Sequence, residues 1–186
     1  MPTGQTALIL PVPQAEALVG AWRARFDKHA AQGVPAHITL LSPFLPPDQA
    51  LAALPQVRHV LGPDAPRFSL TGLHRWPGLA VLCPEPDRWF QRVMAGLCQA
   101  FHLLPYGGRY GDVPEPHLTV AYGADDPRTE GARFQAIAQD VSAHLPLACN
   151  PQQVQLLQRR DQRWEVLARL ELRYPSVERR STRLGP

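Results

Sequence analysis

Two short stretches pair an imidazole with a hydroxyl at the same interval: His37 and Thr39 in PAHITLLSPF, and His117 and Thr119 in EPHLTVAYG. In an extended chain alternate side chains share a face, so each histidine stands beside its own threonine. Ile38, Leu40, Leu118 and Val120 then face the other way. Histidine exchanges protons near neutral pH, and a threonine hydroxyl can donate to an oxygen that carries negative charge. Two such sets, brought side by side, match what in-line cleavage of a phosphodiester requires. One imidazole takes a proton from the attacking oxygen, the other protonates the leaving oxygen, and the hydroxyls hold the non-bridging oxygens. No metal is needed for that chemistry, and His37, Thr39, His117 and Thr119 are the candidate catalytic residues.

Chance is a poor source of the pair. With seven histidines among 186 residues and as many threonines, random placement gives about 0.26 such triplets, and two or more in roughly 3% of shuffled chains. Both copies also sit in apolar runs with a proline within two positions upstream. The competing reading is a solvated strand face that happens to bear polar residues.

The strands need elements to hold them. TALIL near the start reads as a buried strand, followed by a helix with Leu18, Trp22 and Phe26 at four-residue steps that Gly33 ends. AHITLL is the next strand. PPDQALAALPQVRHVLG has helical spacing at Leu51, Leu54, Val57 and Leu61, with Pro55 kinking or splitting it. RFSLTGLHRW and GLAVLC read as strands around the Pro77-Gly78 turn. The order then repeats: a helix with Trp89, Val93, Leu97 and Phe101 on one face, the strand PHLTVAY, and a helix with Phe134, Ile137, Val141 and Leu145 inward. A closing hairpin alternates Trp164, Val166, Ala168, Leu170 and Leu172 after a polar turn. Each half thus runs helix, histidine strand, helix, paired strands, which predicts a duplicated α+β unit. The spacing of 80 residues between the histidines fits one repeat. The expected fold is α+β, with two pseudo-symmetric lobes and antiparallel sheets around a central cleft, helices outside, over repeats at 5–83 and 84–173. Residues 174–186 are expected to form a disordered basic tail, a nucleic-acid-binding arm being the sharper alternative.

Secondary candidates flank the motifs. PYGGRYGD, residues 105 to 112, places Tyr106, Arg109 and Tyr110 in a glycine-rich loop where they could stack on a base or grip a phosphate, Tyr110 foremost. No Gly-Lys-Ser/Thr follows, so it is not a phosphate-cradling P-loop. Arg75, on the face of Thr71 and Leu73, is a candidate positive charge for the cleft. Trp164 is expected to pack. His29, His59, His74, His102 and His144 lack a threonine partner and are expected to be structural or solvated.

Bulk properties set the surroundings. A chain of 186 residues can bury its core without staples. Three widely spaced cysteines, Cys83, Cys98 and Cys149, fit reduced residues better than a disulfide framework or a zinc knuckle. The short apolar run before Pro11 has no basic flank, and nothing approaches a membrane span of ~18 apolar residues. A cytoplasmic protein is expected. The formal charge of +3, 19 basic against 16 acidic residues, permits an anionic substrate without requiring one.

With HITLLSPF followed by PYGGRYGDVPEPHLTVAYG, the sequence resembles the two-histidine (2H) phosphoesterase superfamily, and in particular the 2′-5′ RNA ligase family, over roughly residues 5 to 173. The resemblance implies a bilobal fold and metal-independent cleavage of 2′,3′-cyclic or 2′-5′ phosphodiesters. It makes His37 and His117 the acid-base pair, with Thr39 and Thr119 as phosphate ligands. His117 is taken as the base and His37 as the acid. Ser42 departs from the family, whose members commonly carry an aromatic there. The implied substrate is an RNA 3′ end or a small cyclic nucleotide, with no cofactor and no metal, and the chain is expected to act as a monomer. The alternatives are a nucleotide- or RNA-binding module without significant turnover, and 2′-5′ ligation by reversal of the same chemistry.

Overall fold

The structure, a computed structural model, describes residues 4–109, 111 and 115–174. Short apolar runs between prolines and glycines form eight strands: β1 (Thr6–Pro11), β2 (His37–Leu41), β3 (Phe68–Trp76), β4 (Leu79–Glu85), β5 (Leu118–Tyr122), β6 (Leu147–Cys149), β7 (Gln153–Arg160) and β8 (Arg163–Glu171). They make a single antiparallel sheet in the order β6-β3-β4-β5-β2-β1-β7-β8. The α+β class and the antiparallel pairing expected from sequence are present. The two histidine strands, β2 and β5, are neighbours at the centre. The sheet is continuous across the boundary expected between the two repeats, because the β3–β4 hairpin pairs with β5. In turn β7 pairs with β1.

The described residues also form six α-helices, α1 (Pro13–Phe26), α2 (Lys28–Ala31), α3 (Pro47–Ala52), α4 (Leu54–Leu61), α5 (Arg88–Phe101) and α6 (Pro127–Val141), and two short 3-10 turns at Pro105–Gly108 and Ser142–His144. One face of the sheet supplies Leu8, Leu10, Ile38, Leu40, Leu118 and Val120 to the main core, where they meet Val19 of α1, Val57 of α4, Phe90 and Leu97 of α5, and Ile137 of α6. Each fully buried side chain of this kind contributes roughly 1.5–3 kcal/mol. Phe90 crosses Phe68 and Trp89 edge to face at 5.0 and 5.3 Å. The opposite face carries only a small cluster of Ala7, Ile9, Val34 and Leu157, with Trp164 against it. The rest of that face is left free for polar side chains.

Local departures have local causes. The first helix stops at Phe26, because Asp27 turns extended (φ −122°, ψ 105°) and uses its carboxylate to accept the His29 amide at 2.9 Å, capping α2. The buried line of α1 is Ala15, Val19 and Arg23, one residue away from the expected stripe of Leu18, Trp22 and Phe26, which is only half-buried. Residue Ala53 separates α3 from α4, and Pro55 lies in the first turn of α4, where its missing N–H is harmless. The three-residue strand β6 has too few residues for an alternation to be legible. Cys83, Cys98 and Cys149 form no disulfide; Cys149 is buried and the other two are partly exposed. Among the described residues no helix is long and apolar enough to cross a membrane.

Candidate active site

Ile38 of β2 pairs with Leu118 of β5, both facing the main core. Antiparallel register therefore sets Thr39 across from His117 and His37 across from Thr119 on the open face. Each histidine faces the threonine of the other strand, and the two histidines are diagonal neighbours, a relation that in antiparallel pairs spans roughly 7–8 Å with the β-carbons somewhat closer. All four side chains line one cleft of about 970 Å³. The sequence-predicted quartet is thus brought together by a single pairing of central strands.

Both rings are oriented in the same way. Nδ1 of His37 lies 2.7 Å from the Pro35 carbonyl oxygen, and Nδ1 of His117 lies 2.8 Å from that of Glu115. A carbonyl only accepts, so Nδ1 carries the proton and donates in each case. Nε2 is then the nitrogen left to meet a ligand, an acceptor in the neutral ring and a donor in the cation. Their electrostatic settings differ. Burial at the cleft floor pushes His37 from 6.5 down to about 4; the bond to Pro35 opposes this, Arg23 adds to it, Asp27 opposes and His29 adds. Burial also lowers His117, against the carbonyl and the carboxylate of Glu115. His117 carries a further contact, the indole of Trp76 at 4.7 Å between centroids.

A bulge follows the threonine in both strands. In β2 the partners jump from Thr39 to Leu41, and in β5 from Thr119 to Ala121. Leu40 and Leu41, and likewise Val120 and Ala121, all enter the main core. The extra residue reverses the alternation, so the next side chains, Ser42 and Tyr122, come round to the cleft. These are equivalent positions of the two motifs, one without and one with an aromatic ring.

The other candidates are distributed unevenly. Tyr106 and Arg109 line the cleft, with the Tyr106 amide donating to the Ser42 carbonyl. Tyr110 and residues 112–114 lie outside the described residues, as do residues 175–186 of the expected tail. Arg75 does not line the cleft. It shares its face with Leu73 as expected, but that face looks toward the helices, and its guanidinium contacts Glu130 of α6 at 3.3 Å. The next residue, Trp76, takes the cleft side instead. Trp164 both packs on the small cluster and lines the cleft. His29 lines it too, with Nδ1 at 3.1 Å from the Tyr122 hydroxyl. The signal for Trp76, Tyr122 and His29 was weak, since each depends on which sheet face stays open or on a bulge. Among the described residues no group of three or more His, Cys, Asp or Glu side chains could hold a metal ion.

Comparisons with known proteins bear on the family and the fold. The family model described as the 2′-5′ RNA ligase superfamily matches residues 11–163. No curated protein matches the chain. Among solved structures, E. coli LigT complexed with ATP superposes with a TM-score of 0.56 at 15% identity, over 91% of this chain and 97% of that one. A structure described as a phosphoesterase gives 0.54 at 16% identity, over 91% and 98%. E. coli LigT complexed with 3′-AMP gives 0.54 at 16%, over 91% and 97%. At such identities the likeness is one of fold.

Proposed function

The chain belongs to the 2′-5′ RNA ligase superfamily, and from that premise we propose that it is a phosphodiesterase. It hydrolyses 2′,3′-cyclic or 2′-5′ phosphodiester bonds of RNA ends or small nucleotides. Membership supports phosphodiester chemistry in general. The observation that carries the finer reading is the cross-strand square of His37, Thr119, Thr39 and His117, with both Nδ1 atoms tied to carbonyls and both Nε2 atoms free for the ligand.

A phosphate seated over the square has a threonine on each side to donate to its non-bridging oxygens, where charge must be stabilised through the transition state. One imidazole accepts a proton from water as its oxygen bonds to phosphorus. The other gives a proton to the 2′ or 3′ ribose oxygen as the P–O bond breaks. The settings of the rings support the reverse of the order taken from sequence. His37, depressed to about 4 and near Arg23, holds the neutral form and serves as base. His117, lowered by burial as well but opposed by the carbonyl and the carboxylate of Glu115, serves as acid.

The test is incubation of the pure protein with a nucleoside 2′,3′-cyclic phosphate in EDTA. Turnover is expected, falling about 10²- to 10⁴-fold in His37→Ala and in His117→Ala, the usual worth of one proton-transfer group. Absence of turnover on every cyclic and 2′-5′ substrate overturns the reading.

A further inference from the structure

Beneath His37 lies a charge that the core has no packing reason to contain. Arg23, on the buried side of α1, is 1% exposed. Its Nε and Nη2 donate to Oδ2 of Asp27 at 3.2 and 2.8 Å, and Nη2 also reaches the Val34 carbonyl at 3.2 Å. Glu16, two turns earlier on the same helix and 3.9 Å from the Arg23 guanidinium, accepts the Ala36 amide at 2.7 Å. The loop from Val34 to Ala36 is therefore held at both ends from α1, and between them stands Pro35, whose carbonyl orients His37. Asp27 reaches further: its Oδ1 accepts the His29 amide, and the His29 ring meets the hydroxyl of Tyr122, which ends the other histidine strand.

A buried ion pair is a poor way to stabilise a fold, since apolar side chains of similar volume often do as well or better. Nη1 of Arg23 even lacks a hydrogen-bond partner among the described residues. Burial pushes the Asp27 carboxyl up, but the bonds from His29 and the charge and bond of Arg23 outweigh it and hold the pKa down to about 2. The guanidinium fork holds Asp27, and its Nη2 at the same time donates to a backbone carbonyl outside the helix, that of Val34.

We propose that Arg23 and Asp27 are positioning residues for His37, acting as a clamp that fixes the Pro35 carbonyl against Nδ1 and, through His29 and Tyr122, ties the start of one histidine strand to the end of the other. The inference rests on the phosphodiesterase reading for its catalytic consequence, but the clamp itself is observable without turnover.

The experiment follows the ring nitrogens of His37 and His117 by long-range ¹H–¹⁵N correlation in the full chain and in Arg23→Met, Arg23→Lys, Asp27→Asn and Tyr122→Phe, with near-UV dichroism to verify folding. In the parent chain His37 should show a single tautomer protonated at Nδ1. In folded Arg23→Met and Asp27→Asn it should become a mixture of tautomers while His117 keeps its signature, and kcat on the cyclic phosphate should fall about 10- to 100-fold with little change in KM, the scale of a displaced catalytic group. Tyr122→Phe removes only one hydroxyl at the cleft and should give a smaller loss of the same kind. Arg23→Lys restores the charge without the fork and should not restore the tautomer. A parent-like His37 spectrum in any folded Arg23→Met or Asp27→Asn protein overturns the clamp, and if neither folds, an unchanged His37 signature and kcat in Tyr122→Phe overturn it. If the parent chain has no turnover yet its His37 tautomer depends on Arg23, the phosphodiesterase reading fails and the clamp stands.

Discussion

At the scale of single residues, both imidazoles favour the neutral form in the free protein, and that shapes the pH response. The productive state needs one ring neutral and one protonated, so kcat/KM should be bell-shaped with its maximum below 6.5, the ordinary histidine value. A bound phosphate anion favours protonation of both rings, so the optimum of kcat should lie higher than that of kcat/KM; coincident optima would count against the assignment. The two roles separate by leaving group. With a p-nitrophenyl phosphodiester, whose phenolate needs no proton, His117→Ala should recover most of its activity and His37→Ala should not. Stability follows the same pKa. The unfolded chain binds more protons than the folded one between 6.5 and about 4, so the contribution of neutral His37 is complete above 6.5 and is lost as pH falls toward 4. Urea midpoints measured at about pH 7.5 and about pH 4.5 should therefore differ less in His37→Asn than in the parent.

At the scale of elements, the two bulges decide which side chains join the quartet. The threonine motifs were legible because one strand period carries them, and no irregularity intervenes between positions 37 and 39 or 117 and 119. Two residues later the period fails, and Tyr122 enters the cleft on an alternation that simple parity would have sent to the core. Deleting Val120 should restore regular pairing with Ala121 still in the core and Tyr122 still at the cleft, because residues 119, 121 and 122 then alternate without interruption. Retention of the Tyr122–His29 contact, seen as unchanged His29 ring signals, is the readout. Arg75 illustrates the complementary difficulty: its companions on the strand were correctly grouped, but sequence did not say which face the helices would cover. Its pair with Glu130 is exposed, and such pairs are worth about 0–1 kcal/mol. Arg75→Ala should accordingly leave KM for the cyclic phosphate unchanged and shift stability within that range.

At the scale of the whole molecule, apolar periodicity located nearly every helix and strand, but not the order in which strands would meet. That order depends on pairings such as β4 with β5 and β1 with β7, which no local pattern records. The helices share one core, so a large truncation within it should weaken the molecule as a unit. Phe90→Ala, at a ring that is 0% exposed and touches Phe68 and Trp89, should cost about 3–5 kcal/mol in a denaturant titration while leaving the pH profile of turnover unaltered. The strand order also bears on synthesis. His37 emerges from the ribosome long before its partner strand, which is 80 residues away, so at roughly 5–20 residues per second the first motif waits for several seconds with its open edge unpaired. A nascent chain arrested before β5 would hold half of the proton-transfer machinery and none of the geometry, and would depend on chaperones to keep that exposed edge from pairing with another polypeptide.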